Sequence, residues 1–333
     1  MRRVAVFGTG NWGTAYAGIL ADAGCEVRLC GRRQELADRI NATHLNTDYL
    51  PDRVLPDTVR ATTDPSEAVD GAEIVVLAIP SQSLRDNLAT WAPLLPSRSA
   101  VVSLMKGVEL GTSKRMSEVI AEVGGVPQHR IVVVSGPNLA PEIAAKQPAA
   151  TVVACTDDHT AELVADASDA PYFRPYTNND VVGTELGGAV KNVIALGVGM
   201  AQGMGMGDNT KATIITRGLA EIARLGVALG ADPQTFLGLA GVGDLIATCM
   251  SPLSRNHTFG VNLGRGMSVE QVISVTKQTA EGVKSCQSIL DLARRHGVEV
   301  PIVENVAAVI HHGKRPEEVG EALMSRARKH EQH

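Results

Sequence analysis

The sequence predicts an α/β protein with a doubly wound, mostly parallel Rossmann-type sheet followed by an all-helical C-terminal domain. Short apolar runs alternate with helical segments over residues 1–180, which is typical of parallel strands covered by helices on both faces. The first run, residues 4–7, leads directly into a segment with the G-x-G-x-x-G spacing of a dinucleotide-binding turn. Strand signals nearly vanish from Val181 onward. We therefore expect a dinucleotide-binding domain at 1–180 and a helical substrate and catalytic domain at 181–333.

Length and composition are those expected of a soluble enzyme with two domains. The chain has 333 residues, 44% hydrophobic and 20% charged, which excludes a disordered chain, and its net charge of −5 argues against nucleic acid as a partner. No segment has the roughly 18 uncharged apolar residues of a membrane helix, and residues 193–206 come closest. The five cysteines form no C-x-x-C pair, so we expect reduced thiols in a cytoplasmic protein. The apolar run after Arg2 and Arg3 is too short for a signal peptide, and we expect none. No spacing of Cys, His and Asp suggests a metal site.

The glycine-rich segment Gly8-Thr9-Gly10-Asn11-Trp12-Gly13 is expected to hold a pyrophosphate. Gly8 permits the tight turn, Gly10 lets the backbone approach the phosphates, and Gly13 lets helix and strand pack closely. The phosphates then lie at the N-terminus of the helix that follows. The alternative is an ordinary glycine turn between two packed elements.

The end of the second predicted strand, residues 25–30, bears on the choice of cofactor. An acidic side chain at this point binds the ribose 2′-hydroxyl of NAD, whereas arginine accommodates the 2′-phosphate of NADP. Here the strand ends in Gly31-Arg32-Arg33, with no acid before Glu35. The charge therefore favours NADP, or the use of both cofactors; the alternative is that both arginines are solvated residues at a helix start.

The other elements are predicted in order along the chain. In the first domain we expect helices at 34–41, 112–123 and 158–168, a helix that starts at 65–67 with Asp64 as its cap, and a helix through Trp91 that begins at the capping segment 80–83. We expect strands at 59–62, 73–80, 100–104, 131–135, 150–155 and 172–176, and an irregular segment at 45–57. In the second domain we expect helices at 184–203, 210–230, 233–238, 268–276, 282–297, 303–312 and 316–327. Loops 8–13, 105–107 and 136–138 follow strands and should converge on one crevice, since ligands bind at the carboxyl ends of parallel strands.

Lys191 lies in an apolar, small-residue helical segment of the second domain. Burial would lower the pKa of its ammonium and make it usable as a proton donor or acceptor. The alternative, equally open at this point, is that Lys191 extends to the surface. Its neighbour Asn192 is a candidate for hydrogen bonding to a substrate hydroxyl or phosphate.

Two further segments carry polar groups. Asp244 and Thr248 share one face if a helix starts near Gly243, although Asp244 as a plain helix cap is a strong alternative. Ser254-Arg255-Asn256 offers a hydroxyl, a guanidinium and an amide in sequence, which suits a phosphate or carboxylate; the alternative is a polar surface loop. No G-x-S-x-G segment supports a serine hydrolase.

Taken together, the motifs resemble those of NAD(P)-dependent sn-glycerol-3-phosphate dehydrogenases, and they fit the bacterial cytoplasmic type best. The resemblance extends from residue 4 to about residue 325. The segments that carry the resemblance, in order, are Gly8-Thr9-Gly10-Asn11-Trp12-Gly13-Thr14-Ala15, Lys106-Gly107, Ser135-Gly136-Pro137-Asn138, Gly188-Ala189-Val190-Lys191-Asn192, Gly241-Val242-Gly243-Asp244-Leu245 and Ser254-Arg255-Asn256.

The resemblance implies roles for the residues at matching positions. Lys191 is implied to be the general acid and base, Lys106 a second active-site lysine, and Asp244 and Thr248 orienting groups. The implied substrate contacts are Lys106, Gly136, Asn138, Lys191, Asn192, Asp244, Ser254, Arg255 and Asn256, the last three gripping phosphate. The implied cofactor contacts are Gly8, Gly10, Asn11, Trp12, Gly13, Arg32, Arg33, Lys106, Ala140, Arg255 and, within Thr279-Ala280-Glu281-Gly282, Glu281.

The activity implied by the resemblance is the interconversion of dihydroxyacetone phosphate and sn-glycerol 3-phosphate with NADPH or NADH, by a cytoplasmic homodimer that supplies phospholipid synthesis. Two other classes remain open. One is a related two-domain dehydrogenase of the 6-phosphogluconate or 3-hydroxyacyl type. The other is a non-catalytic NAD(P) sensor, although such a protein would be expected to have lost the lysines or Asp244.

Overall fold

The computed structural model describes residues 1–276, 280–327 and 330; Thr279, quoted above beside Glu281, lies outside them. The strands are β1 (Arg3–Phe7), β2 (Glu26–Cys30), β3 (Leu45–Asn46), β4 (Leu50–Val54), β5 (Val59–Thr62), β6 (Ile74–Leu77), β7 (Ala100–Ser103), β8 (Ile131–Ser135), β9 (Ala149–Ala154) and β10 (Phe173–Asn178). Eight of them form one sheet in the order β10-β9-β8-β7-β6-β1-β2-β5. All its pairs are parallel except β8–β9. The predicted doubly wound, mostly parallel sheet is confirmed, and its strand order reverses beside β1.

Helices cover both faces of this sheet. They are α1 (Asn11–Asp22), α2 (Gln34–Thr43), α3 (Pro65–Val69), α4 (Leu84–Trp91), α5 (Met116–Gly124), α6 (Ala140–Ala144) and α7 (Asp158–Ser168). Asp64 caps α3 as predicted, since its carboxylate accepts the backbone N–H of Ser66. Two expectations are wrong. The irregular segment at 45–57 contains the antiparallel pair β3–β4, and α5 begins at Met116 rather than at 112, because Ser113 N bonds to Glu109 O in a preceding turn.

The second half of the chain is helical, as predicted. Its helices are α8 (Val181–Gly203), α9 (Asp208–Ala228), α10 (Asp244–Met250), α11 (Arg255–Gly264), α12 (Val269–Val275), α13 (Glu281–Arg295), α14 (Pro301–His312) and α15 (Pro316–Met324). The helix expected at 233–238 is a 3₁₀ turn, Pro233–Leu237, followed by a π-helical turn at Leu239–Gly243. Helix α11 is absent from the sequence prediction. β10 ends at Asn178 and α8 begins at Val181, so the predicted domain boundary at residue 180 falls between these two elements. The division into two domains at this point remains a prediction.

Helix α8 lies at the centre of the second half. By length and composition it could cross a membrane, but 83% of its most apolar window is buried within the protein. Helices α9, α10, α11, α13 and α14 pack around it. Its residues therefore form the core of the helical half, and side chains of the surrounding helices pack against it.

Glycines allow α11 to approach α8 unusually closely. A Cβ added at Gly260 would lie 2.2 Å from the backbone oxygen of Leu196, and one at Gly199 would lie 2.2 Å from that of His257. Real Cβ atoms do not approach oxygens so closely, so the crossing requires glycine on both helices. This contact holds the N-terminus of α11 beside the middle of α8, where Lys191 and Asn192 lie.

Candidate active site

The glycine loop between β1 and α1 has the geometry that a dinucleotide requires. Gly8 has φ +120°, and a Cβ there would lie 2.3 Å from the backbone oxygen of Ala78. A Cβ at Gly13 would lie 2.1 Å from Gly8 O, whereas one at Gly10 would have no atom within 4 Å. Gly8 and Gly13 are thus required by the packing of the loop. Gly10 leaves open space at the N-terminus of α1, which has no side-chain cap and carries the positive end of the helix dipole.

Trp12 and Ala140 lie together beside this loop. The Trp12 ring packs edge-on against Tyr16, with centroids 5.5 Å apart, and Ala140 belongs to a small cluster with Ala15 and Leu50 on which Trp12 also packs. Trp12 Nε1 is buried with no hydrogen-bond partner in the described part of the chain. A buried donor of this kind fits a polar ligand next to the loop. Together with the open space at Gly10, it indicates that these residues fit a bound dinucleotide.

The two arginines after β2 are not equivalent. Arg33 Nη1 pairs with Asp48 Oδ2 at 2.7 Å, and with Arg39 it holds the pKa of Asp48 below its usual range. Arg32 is exposed and makes no ion pair within residues 1–276, 280–327 and 330. Arg32 is therefore the better placed of the two to receive a ribose 2′-phosphate.

Two lysines converge on one buried carboxylate, that of Asp244 at the start of α10. Lys191 Nζ donates to Asp244 Oδ1 at 2.5 Å, and Lys106 Nζ donates to Asp244 Oδ2 at 2.6 Å. Lys106 Nζ also donates to the backbone oxygen of Gly136 at 3.0 Å. The loops that follow β7 and β8 thus meet as predicted, and the helical half of the chain supplies the third side of the same site. The glycine loop lies further along the same strand edge, against Ala78 after β6.

Lys191 is buried rather than extended to the surface, which settles the question that the sequence left open. It is 5% exposed, and its ammonium lies 2.5 Å from Thr248 Oγ1. Burial lowers the pKa of Lys191 to about 8, with the Asp244 carboxylate acting to raise it and the Lys106 ammonium to lower it. Asp244 and Thr248 share one helix face, and the cap of α10 is Gly243, so Asp244 is not a plain helix cap.

The three residues of segment 254–256 lie at the start of α11 and have different environments. Ser254 Oγ accepts the backbone N–H of His257 and caps the helix. Asn256 is buried; its Nδ2 donates to Asn192 Oδ1 at 3.0 Å and its Oδ1 accepts from Gly282 N at 2.9 Å. Arg255 is exposed in the first turn. The segment is therefore a helix start that joins α8 to α13 and presents one guanidinium, rather than a surface loop.

The remaining predicted site residues lie around this cluster. Gly136, at φ +155°, turns the chain after β8, and Asn138 Nδ2 donates to Thr151 Oγ1 at 3.0 Å. Glu281 Oε2 accepts from Ser81 Oγ at 2.7 Å, which joins α13 to the segment after β6. Ser81 carries no motif, and the sequence predicted it only as part of a helix start; its role beside Glu281 depends on the contact between α13 and the sheet.

The fold and the site together define a class of protein. A Rossmann-type sheet with a dinucleotide-fitting glycine loop faces a buried lysine–aspartate pair supplied by an attached helical unit. This is the arrangement of a two-part NAD(P)-dependent dehydrogenase, with a buried lysine near the cofactor edge of the sheet.

Comparison with known proteins identifies the family. Residues 3–161 match the family model described as NAD-dependent glycerol-3-phosphate dehydrogenase N-terminus, and residues 180–321 match the corresponding C-terminus. The chain is 66% identical to the glycerol-3-phosphate dehydrogenase (NAD(P)+) of Streptomyces griseus over 99% of this chain and 98% of that protein. It is 61% identical to that of Thermobifida fusca over 100% of this chain and 99% of that protein. The crystal structure of glycerol-3-phosphate dehydrogenase from Coxiella burnetii is similar at 33% identity and TM-score 0.93, covering 98% and 99% of the two chains. The chain therefore belongs to the NAD-dependent glycerol-3-phosphate dehydrogenase family, as the sequence motifs predicted.

Proposed function

We propose that this chain interconverts dihydroxyacetone phosphate and sn-glycerol 3-phosphate with NAD(P)H, and that Lys191 is its general acid and base. The observation that supports this most directly is the buried contact of Lys191 Nζ with Asp244 Oδ1 at 2.5 Å. The nicotinamide, when bound, supplies the hydride that the carbonyl carbon C2 accepts in the reducing direction. The chain itself supplies the proton, the counter-charge and the orientation of the substrate.

Lys191 handles the proton at the C2 oxygen. As the carbonyl is reduced, negative charge develops on this oxygen, and the Lys191 ammonium stabilises it and donates its proton. In the oxidising direction the neutral Lys191 amine removes the proton of the C2 hydroxyl. A pKa of about 8 leaves both forms populated near neutral pH, which a two-way proton carrier requires.

Lys106 and Asp244 set the charge of the site. One carboxylate faces two ammonium groups, so the buried cluster carries an excess positive charge directed at the developing oxyanion. Thr248 Oγ1 lies 2.5 Å from the same ammonium and donates to Asp244 Oδ1 at 3.2 Å. We assign Lys106 to electrostatic stabilisation and substrate contact, and Asp244 and Thr248 to the orientation of Lys191.

Arg255 is assigned to the substrate phosphate. Its guanidinium is exposed at the N-terminus of α11, where phosphate also benefits from the helix dipole. Asn256 places this helix end against Asn192 and α13. Binding energy from the phosphate then fixes the carbonyl for reaction. Gly136, Asn138, Asn192, Ser254 and Asn256 complete the proposed substrate site.

The glycine loop with Asn11, Trp12 and Ala140 is assigned to the cofactor, together with Lys106, Arg255 and Glu281. Arg32, which is exposed after β2, favours NADPH over NADH because it matches a 2′-phosphate. Arg33 contributes less, since its guanidinium is already paired with Asp48.

The test is Lys191→Ala, assayed for oxidation of NADPH and NADH with dihydroxyacetone phosphate and with other ketones. Loss of the proton donor lowers kcat by about 10²–10⁴-fold, while the affinity for NADPH, measured by fluorescence, stays near that of the wild type. Lys314→Ala is the matched control, because Lys314 is another lysine of the helical half and its ammonium bonds only to Asn305 Oδ1 among the described residues. Near-normal turnover of Lys191→Ala would refute the role of Lys191.

We also propose a cytoplasmic homodimer that supplies glycerol 3-phosphate for phospholipid synthesis. Large apolar side chains are exposed on and beside α10, namely Ile246, Met250 and Leu253, and such a surface is typical of an interface between subunits. Light scattering at micromolar concentration tests the dimer, and a single-subunit mass would contradict it. Rescue of a deletion strain by glycerol 3-phosphate tests the metabolic role.

A further inference from the structure

A second buried carboxylate lies on α8, on the helix that carries Lys191 but outside the lysine–aspartate cluster. Glu185 is 2% exposed and accepts three hydrogen bonds. Its Oε1 accepts from Ser117 N at 2.8 Å, and its Oε2 accepts from Ser117 Oγ at 2.6 Å and from Arg115 Nη1 at 3.0 Å. All three donors lie at the start of α5, in the sheet-forming half of the chain. Glu185 therefore ties the catalytic helix to the segment that connects β7 with α5.

That segment carries Lys106. Val108, two residues beyond Lys106, forms an isolated antiparallel bridge with Arg115. The backbone oxygen of Val108 also accepts from Ser288 Oγ on α13 at 2.8 Å. Arg115 is paired with Val108 in this bridge, where Glu109 N donates to Lys114 O at 2.9 Å, and its side chain donates to Glu185. The placement of Arg115 against α8 is therefore transmitted over a short stretch of chain to Lys106.

A buried carboxylate is a poor means of adding stability, because its desolvation offsets most of the attraction to its partners. Burial raises the pKa of Glu185, and Arg115 and Ser117 oppose that rise. What three directed hydrogen bonds do supply is one fixed register between α5 and α8, which apolar packing specifies less strictly. The register matters here because the ammonium groups of Lys106 and Lys191 must reach the two oxygens of the same carboxylate.

We propose that Glu185 is a positioning residue for the reaction, which holds Arg115 and Ser117 so that Lys106 Nζ meets Asp244 opposite Lys191. This inference rests on the roles assigned to Lys106 and Lys191 under the proposed function. Glu185 touches neither substrate nor cofactor in this assignment, and it acts only through the β7–α5 segment.

The test is a double-mutant cycle between Glu185→Gln and Lys106→Ala, with kcat and KM measured for dihydroxyacetone phosphate. Glutamine keeps the size of the side chain but places an N–H₂ group among three donors. Displacement of a catalytic group by about 1 Å costs up to about 10²-fold in rate, so we expect Glu185→Gln to lower kcat about 10-fold. In the Lys106→Ala background the same substitution lowers kcat by no more than about twofold, because the group it positions is already absent. Ser117→Ala, which removes one donor from the other side, repeats the cycle if Glu185→Gln does not fold.

Glu221→Gln is the matched control. Glu221 is also 2% exposed, and it accepts the backbone N–H groups of Ile302 and Val303 at 2.7 and 3.2 Å, away from the β7–α5 segment. This variant is expected to lower Tm and leave kcat per folded molecule within about twofold of the wild type. Equal losses of kcat from Glu185→Gln in both backgrounds, or a wild-type kcat for Glu185→Gln, would overturn the positioning role alone. A wild-type kcat for Lys106→Ala would remove the proposed role of Lys106 and this inference together.

Discussion

Replacement of Asp244 by asparagine tests the electrostatics of the site most directly. The carboxylate is 1% exposed and accepts from Lys191 Nζ at 2.5 Å and from Lys106 Nζ at 2.6 Å. Asparagine keeps the shape of the side chain but removes the negative charge that raises the pKa of Lys191. Asp244→Asn thus leaves two ammonium groups without a counter-charge in a buried site, and one of them will lose its proton.

The size of the effect follows from the pKa of Lys191, about 8 in the intact site. Loss of an opposite charge in direct contact lowers a pKa by about 1–3, which brings that of Lys191 to roughly 5–7. The protonated fraction at pH 7 then falls from about nine tenths to between about one half and one hundredth. Because the ammonium is the proton donor in the reducing direction, kcat/KM for dihydroxyacetone phosphate at pH 7 falls by about 2- to 100-fold.

The assay is the pH profile of kcat/KM at saturating NADPH, for the wild type and for Asp244→Asn. In the wild type the reducing activity declines as the pH rises through about 8, and in the variant this decline moves to lower pH. Titration of the substrate phosphate is common to both enzymes, so the difference between profiles reports on the protein. Thr248→Val is the control, since it removes a hydroxyl at 2.5 Å from the same ammonium but no charge, and it shifts the decline less. A decline at the same pH in the wild type and Asp244→Asn would refute the reasoning.

Three further outcomes are expected. Arg255→Ala raises the KM for dihydroxyacetone phosphate by about 10-fold or more, because a charge-assisted contact contributes about 1.5–3 kcal/mol, and an unchanged KM in steady-state assays removes Arg255 from the phosphate site. Arg32→Ala raises the Kd for NADPH more than that for NADH in fluorescence titrations, and equal changes would show that this arginine does not contact the 2′-phosphate. Gly260→Ala lowers the free energy of unfolding by about 1–3 kcal/mol or more, because its Cβ would lie 2.2 Å from a backbone oxygen of α8. In the same denaturant titrations Gly320→Ala, which also lies inside a helix but whose Cβ would come no closer than 3.8 Å to Met206, does not lower it, and equal destabilisation by both would contradict the close-packing argument.

Most of the sheet was predictable because its strands are buried on both faces and appear as continuous apolar runs. The pair β3–β4 was not, because four of the five residues of β4 are exposed and Pro51 interrupts the segment. Helix α11 was missed for a different reason. It begins with polar residues and contains Gly260 and Gly264, which resemble loop residues in the sequence but fit closely against α8 in the structure.

In the site, the sequence predicted which residue types carry the chemistry but not which side chains they contact. A lysine in an apolar helix was recognised as a candidate acid or base, yet nothing local decided whether Lys191 was buried. From the sequence, a helix cap explained Asp244 as well as a role in the site did. The structure excludes the cap, because Gly243 caps α10. The role of Glu185 was not predictable, because a single glutamate in a helix has no distinguishing local pattern.

The sequence by itself determined the elements whose signals are local: the glycine loop, the alternation of strands and helices, the absence of an acid after β2, and the chemical types at 106, 191, 244 and 255. Only the tertiary structure decided that Lys106 and Lys191 share the carboxylate of Asp244, that Arg33 pairs with Asp48, and that Asn256 joins three helices. The physical reason is that Lys106 and Asp244 are 138 positions apart in the chain, and Lys191 and Asp244 are 53 apart. Charge and burial act through distances in space, and packing of the helices against the sheet sets those distances.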